Sequence, residues 1–301
     1  MPGPRRGRAR IVTVPATVPA DRRFVRRAGR LVNRALRAGG VEIRPVAPPP
    51  RVAPPVDPEP AGPEPVASGD SDPLSTDPLR PDADWRAGFA DRAGPILERH
   101  RSQTADQVAA LRRRYAGPVF GKVRVWELIE RLGSCIDPTD ERLFCASQQV
   151  HVLQMLEAME ADGFDSPEMV LVALIHDLGK VLLLTGEDPA NIVCMNTPIG
   201  AQEEGIGLSR ALIQWNHDEF AYDRLVGLIP DDLAWLIRFH SIDIPALESL
   251  MDDRDRERTS RLLVPFAHYD HATKTPLHLP TTSLATYREL IEEAFPDPIP
   301  F

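Results

Sequence analysis

Cysteine, lysine and aromatic side chains are the scarce components of this 301-residue chain: three Cys, three Lys and 6% Phe, Trp and Tyr together. Cys135, Cys145 and Cys194 lack paired spacing, which excludes a disulfide framework and fits reduced thiols of a cytoplasmic protein. No window approaches about 18 uninterrupted apolar residues, so no transmembrane segment is expected. The N-terminus also lacks the short apolar run and small-residue cleavage site of a secretory signal. Alternating strand patterns and internal repeats are absent as well. Lys122, Lys180 and Lys274 are the only lysines among 35 basic residues. In a chain that defaults to arginine, each marks a position where an ammonium is wanted.

Charge and proline are present but unevenly placed. Residues 1–40 carry 11 Arg against one acid, whereas residues 81–301 carry 21 basic against 36 acidic residues. An acidic body argues against a nucleic-acid partner for the folded part. The first 80 positions hold 16 of the 31 prolines. With few aromatics there, residues 1–80 read as a basic head followed by a Pro-rich disordered linker. Within the head, residues 22–38 have the spacing of a short basic amphipathic helix or a solvated, partly helical tail.

From about Asp84 the pattern turns helical, with clear stops. Helices are predicted over Ser102–Tyr115, Val125–Leu132 and Glu141–Ala161, the last capped by Gly163. Ser166-Pro167-Glu168 is a strong helix start, and Met169–Leu184, apolar nearly all round and ended by Gly186, is placed at the centre. Further helices are predicted over Leu208–Leu228, Asp232–His240, Arg258–Thr273, bent by Pro265, and Leu284–Phe295. Residues 81–301 thus read as one all-α domain large enough to bury a core.

The central apolar helix is interrupted by His176-Asp177-Leu178-Gly179-Lys180. Burying three ionisable side chains is costly unless they are paired or bound to a metal. His151, His176, His217 and His240 all fall within predicted apolar helices, and Asp270 joins them from a fifth. A satisfied polar network is the alternative, but four histidines and two aspartates on an all-α scaffold point to a metal centre. Imidazole and carboxylate donors without thiolate suit Fe, Mn, Zn or Ni. His176 and Asp177 project about 100° apart on a helix. An aspartate there can bridge two ions while its neighbour ligates one, leaving open positions for substrate.

In this order the motifs resemble those of the HD-domain metalloproteins and, more closely, the myo-inositol oxygenase family. The resemblance covers roughly Arg86 to Pro296. It rests on RSQT at Arg101–Thr104, the pair His151 and Gln154, the strings IHDLGKVL, WNHDEFAY and IRFHS, and the pair Asp270 and Lys274. It implies an HD-domain-like helical bundle with a mixed-valent di-iron centre, acting as a monomer on a small polyol and O2 to open myo-inositol to D-glucuronate. By the same resemblance His151, His176, Asp177 and Asp270 ligate one iron, and His217 and His240 the other, with Asp177 bridging. Lys180 and Lys274 match lysines that face the substrate, where a compact ammonium can hold a metal-bound alkoxide deprotonated. Asp177 and Lys180 thereby take the catalytic roles. Arg86, Asp137, Asp140 and Ser241 match polar pocket positions, although Arg86 and Asp137 also suit a cap or an ion pair, and Asp140 suits a helix cap. Asp218 and Glu219 are expected outside the ligand set, behind it or in solvent, and Lys122 in solvent.

The chain departs from that pattern where the family has a Gly-Asp pair facing substrate hydroxyls. Cys194-Met195 stands there, and the segment that follows is shortened to Ala201–Gly205. A substrate less hydroxylated than inositol, or of another shape, is therefore expected. The competing readings are an HD-domain metal-dependent phosphohydrolase, for which no obvious Arg/Lys cluster is evident beyond the two lysines, and a non-catalytic binding module, which a complete ligand set disfavours.

Overall fold

A computed structural model describes residues 88–143, 146–275 and 278–301. The basic head, the linker, Arg86 and Cys145 lie outside the described residues. The described part is all-α: α1 (Phe89–Arg101), α2 (Ala105–Arg114), α3 (Val125–Arg131), α4 (Gln148–Asp162), α5 (Pro167–Ile175), α6 (His217–Leu225), α7 (Asp231–Phe239), α8 (Ile244–Leu247), α9 (Asp253–Arg258), α10 (Val264–Ala272) and α11 (Arg288–Ala294). Two-residue strands, Lys122–Val123 and Ile299–Pro300, pair antiparallel and tie the C-terminal residues to the start of α3, a small departure from the strand-free expectation. Lys122 is exposed, as expected.

The core forms around α5. Leu171 through Ile175 are fully buried, so no face of the C-terminal half of this helix meets water. It packs against α4, α7 and α11, while α6 packs on α7 and on the turn that follows α5. Its start is as expected: Ser166 caps it by accepting from the Met169 N–H at 3.3 Å, with Pro167 in the first turn.

Its end is not. The continuous helix predicted over Met169–Leu184 stops at Ile175, and the chain tightens into a 3₁₀ segment, Leu178–Thr185, closed by Gly186 at φ 78°. Asp177, at φ −93° and ψ 9°, is the joint between the two. Glycine at 179 makes this joint possible, because its missing side chain lets the turn rest on the backbone of His217. His176 and Asp177 therefore occupy a helix terminus and not a helix interior.

Other bounds differ for identifiable reasons. The helix predicted from Leu208 begins only at His217, since Gly205 and Gly207 sit at positive φ and the Gln202 side chain binds the Leu212 backbone on both sides. The helix predicted from Glu141 begins at Gln148, after Ser147. Pro265 is accommodated by a π turn, Thr259–Leu263, so that it falls in the first turn of α10 where no N–H is required. The polar helix α1, with Pro95 inside it and few buried residues, was not predicted.

Candidate metal centre

The six residues expected to hold metal come from α4, the α5 terminus, α6, the α7 terminus and α10, and all six are buried. They converge on the carboxylate of Asp177. Its Oδ2 lies 3.4 Å from His176 Nε2 and 3.9 Å from His151 Nε2. Its Oδ1 lies 3.0 Å from His217 Nε2 and 3.5 Å from His240 Nε2. Asp270 Oδ1 completes the first group, 2.9 Å from His151 Nε2 and 3.8 Å from His176 Nε2. His217 and His240 bring their Nε2 atoms to 3.3 Å of each other.

Helix ends produce this convergence. α5 and α7 both terminate on a histidine whose Nδ1 turns back to the carbonyl three residues earlier, His176 to Ala173 at 2.9 Å and His240 to Ile237 at 2.8 Å. These carbonyls belong to the last turn, where intrahelical partners run out. His217 stands at the start of α6 and places its Nδ1 2.5 Å from the Ile192 carbonyl. Because a carbonyl can only accept, Nδ1 carries the proton in all three, leaving the Nε2 lone pair to face the centre. Only His151 lies within a helix. The expectation that all four do is thus corrected: placement at termini lets one local bond fix each ring.

The donors fit a metal. His176 Nε2 and both Asp177 oxygens are buried without a hydrogen bond of acceptable geometry, an expensive state unless cations satisfy them. Three sets of His and Asp atoms close enough to share an ion can be drawn here, His151 with His176 and Asp270, His176 with Asp177 and His240, and His217 with Asp218 and His240, so His176 and His240 each enter two. Burial opposes ionisation of Asp177 and Asp270, yet Lys180 with His176, and Lys274 with His151, hold their pKa values well below the usual carboxylate range. Burial and then the Lys274 charge push His151 down to about 4. His217 goes the other way, to about 9, as Asp218 and Asp177 outweigh its burial, so a metal bound there would take the place of its Nε2 proton.

Around the donors lies a cavity of about 340 Å³, of a size that suits a small molecule. Lys180 enters it donating to Gln148 Oε1 at 2.9 Å and paired with two carboxylates, Asp177 Oδ2 at 3.1 Å and Asp137 Oδ2 at 3.4 Å. Lys274 is held by Asp140 Oδ2 at 3.2 Å and Asp270 Oδ1 at 3.4 Å. Burial alone would discharge both ammonium groups, but these carboxylates raise their pKa values. Asp137 is itself fixed through Thr139, whose N–H and hydroxyl donate to its Oδ1. Asp140 serves twice, since its Oδ1 also accepts from the backbone of Arg142 and Leu143. Ser241 lines the cavity but donates its hydroxyl to Asp218 Oδ2 at 2.6 Å.

Neither Asp218 nor Glu219 reaches solvent. Asp218 lies fully buried beside the second histidine pair, with Oδ1 3.0 Å from His217 Nε2, and joins that pair in one of the three sets that could share an ion. Glu219 is buried between Arg112 and Arg238.

A family model described as myo-inositol oxygenase matches residues 95–194 and 187–301. The chain belongs to the myo-inositol oxygenase family. Its relatives include a probable inositol oxygenase of Oryza sativa subsp. japonica, 32% identical over 65% of this chain and 76% of that protein. Inositol oxygenase 2 of Arabidopsis thaliana is 31% identical over 71% of this chain and 80% of its own length. The inositol oxygenase of Homo sapiens is 27% identical over 54% and 73%. This member is accordingly an enzyme of the inositol oxygenase type, with buried His/Asp groups able to hold a metal cofactor. Among its described residues no helix is long and apolar enough to cross a membrane.

Several residues that build the site in this family member carry no chemistry of their own. Gln103, in the RSQT string, accepts from Trp215 N at 2.8 Å and donates to Trp215 O and Asn191 Oδ1, both at 3.1 Å, anchoring the approach to His217. Gln154 donates to the carbonyls of Thr275 and His278 and fixes the chain leaving Lys274. Asn216 caps α6 and donates to Cys194 O. Their presence in the quoted strings was visible, but their targets are distant backbone atoms. Gln148, the neutral partner of Lys180, gave no sequence signal.

Proposed function

We propose that this protein is a di-iron oxygenase that uses O2 to cleave a ring carbon–carbon bond of myo-inositol, giving D-glucuronate, or of a related substrate bearing vicinal hydroxyls. The reading rests above all on Asp177, whose two oxygens face two different histidine pairs. His151, His176, Asp270 and Asp177 Oδ2 would hold one iron; His217, His240 and Asp177 Oδ1 would hold the other. When bound, the irons supply Lewis acidity toward a substrate hydroxyl and the redox equivalents that O2 chemistry requires.

The chain's own side chains supply orientation and proton control. Lys180 Nζ, kept charged by Asp137 and Asp177, presents a donor to a hydroxyl that has lost its proton. Lys274, tethered by Asp140 and Asp270, offers a second donor, so two adjacent hydroxyls can be oriented together. Water is excluded from the donors by the apolar shell of α5 and α7.

The test is O2 uptake by the iron-loaded protein with myo-inositol and other vicinal diols, with one ring-opened acid formed per O2. Phosphate release from a nucleotide with Mn and no O2 demand would instead establish the phosphohydrolase reading. Among the described cavity-lining Arg and Lys side chains, Arg142 is engaged by the His271 carbonyl, which leaves only Lys180 and Lys274 to meet a phosphate.

A further inference from the structure

The cavity is chemically lopsided. Part of its lining is polar, carrying Asp137, Asp140, Lys180 and Lys274 beside the metal donors. Another part of its lining is the Val193-Cys194-Met195 strip, with Leu97 adding a further apolar side chain. The side chains of this strip offer a ligand almost nothing to bond with. The Cys194 carbonyl already accepts from Asn216 Nδ2 at 2.8 Å, and the Val193 N–H is used by Pro189 O at 3.0 Å. What remains are a valine, a thioether and one thiol. Burial, then the charge of Asp137, pushes that thiol up to about 12, so it stays neutral and a weak donor.

A cyclitol carrying a hydroxyl on every ring carbon would turn at least one of them against this strip and remove its water with only a weakly bonding thiol or thioether side chain in exchange. A methylene or a methyl ether at that position would instead be favoured there, with the thioether of Met195 adapting to its shape. Resting on the function proposed above, we infer that the preferred substrate is a cyclitol diol with an apolar edge, bearing a methylene or methyl ether beyond the reacting pair, and that Cys194 and Met195 select it. Both are specificity residues with no part in the chemical step. They lie on the loop that Asn216 and Gln103 fasten to the His217 segment, so the strip is held at a fixed distance from the metal donors.

The experiment compares myo-inositol with a monodeoxy-inositol and a mono-O-methyl-inositol on the iron-loaded full chain, by O2 uptake and by anaerobic calorimetric binding. The modified cyclitols are expected to exceed myo-inositol in kcat/KM by about tenfold or more, and to bind correspondingly tighter. In Met195→Asn, at a half-exposed position that tolerates a polar group, the ratio should move toward myo-inositol by several-fold. Cys194→Ser, nearly isosteric, should move it the same way. A preference for myo-inositol over both analogues, or a ratio that neither variant moves, overturns the inference while leaving the proposed oxygenase activity standing. Absence of O2 uptake on all three with iron bound overturns both.

Discussion

Gly179 rests directly on the backbone of His217. A methyl group at 179 would lie 2.8 Å from the His217 carbonyl carbon and closer still to its oxygen. Two segments that each carry a metal donor meet at this contact, so its spacing sets the spacing of Asp177 and His217. Gly179→Ala should destabilise the fold by about 1–3 kcal/mol and weaken the second histidine pair's hold on metal. Thermal unfolding together with iron content checks this; an unchanged melting temperature and full iron would contradict it.

The division of labour around Asp177 predicts unequal losses. Asp270→Ala removes a donor from one group only and should lower bound iron from two toward one per chain. Asp177→Ala removes the donor shared by both groups and should take binding toward zero. Elemental analysis of desalted protein measures each; two irons retained in Asp270→Ala would refute the ligand set.

Lys180 lies in a buried pocket formed by Gln148, Asp177 and Asp137, sized for an ammonium. Lys180→Arg keeps the positive charge but not the shape, so the fold should survive while kcat/KM drops by about 10²-fold or more. Steady-state kinetics beside a circular dichroism melt separates the two effects, and near-normal turnover in this variant would argue that charge alone suffices.

Gln103 supplies one amide to three backbone or side-chain partners across the site's approach. Gln103→Ala leaves the Trp215 N–H and carbonyl buried without that partner, a loss of about 1–3 kcal/mol. The melting temperature should fall by about 2–4 °C for each kcal/mol lost. A surface glutamine such as Gln107, replaced likewise, costs less if the clamp is real, because its bonds are exposed.

Glu157 gives a pH signature remote from the metal donors. Burial alone would raise its pKa, but donation from His278, Thr281 and Thr282 brings it from 4.5 down to about 2. A depressed carboxylate stabilises the fold above its unfolded pKa and loses that contribution as pH falls from about 4.5 through about 2. Denaturant midpoints measured between about pH 6 and pH 3 should therefore fall less steeply in Glu157→Gln than in the parent. Parallel curves would remove Glu157 from the account.

The residue types at the centre were legible in the sequence because charge inside an apolar run demands compensation, and the motif strings carry His151, His176, Asp177, His217, His240 and Asp270 in order. The fold class was legible from helical periodicity and from Ser166-Pro167, Gly163 and Gly186. The local backbone at the donors was not. Periodicity continues smoothly through Ile175-His176-Asp177, whereas the turn there is set by contact with a residue nearly 40 positions later. For the same reason the chain before His217 reads as helix although Gly205, Gly207 and Gln202 hold it irregular. Asp218 and Glu219 look like surface acids in a polar string until Ser241, Arg112 and Arg238 arrive from elsewhere to satisfy them.

Donors drawn from five separated elements make each ion a cross-link. His151 and Asp270, 119 residues apart in sequence, would be pinned to one atom, closing a loop as a disulfide would. Metal occupancy would then be part of the thermodynamic definition of the native state, its contribution growing with free ion as mass action requires. A chelator would act on this enzyme as a denaturant first and an inhibitor second.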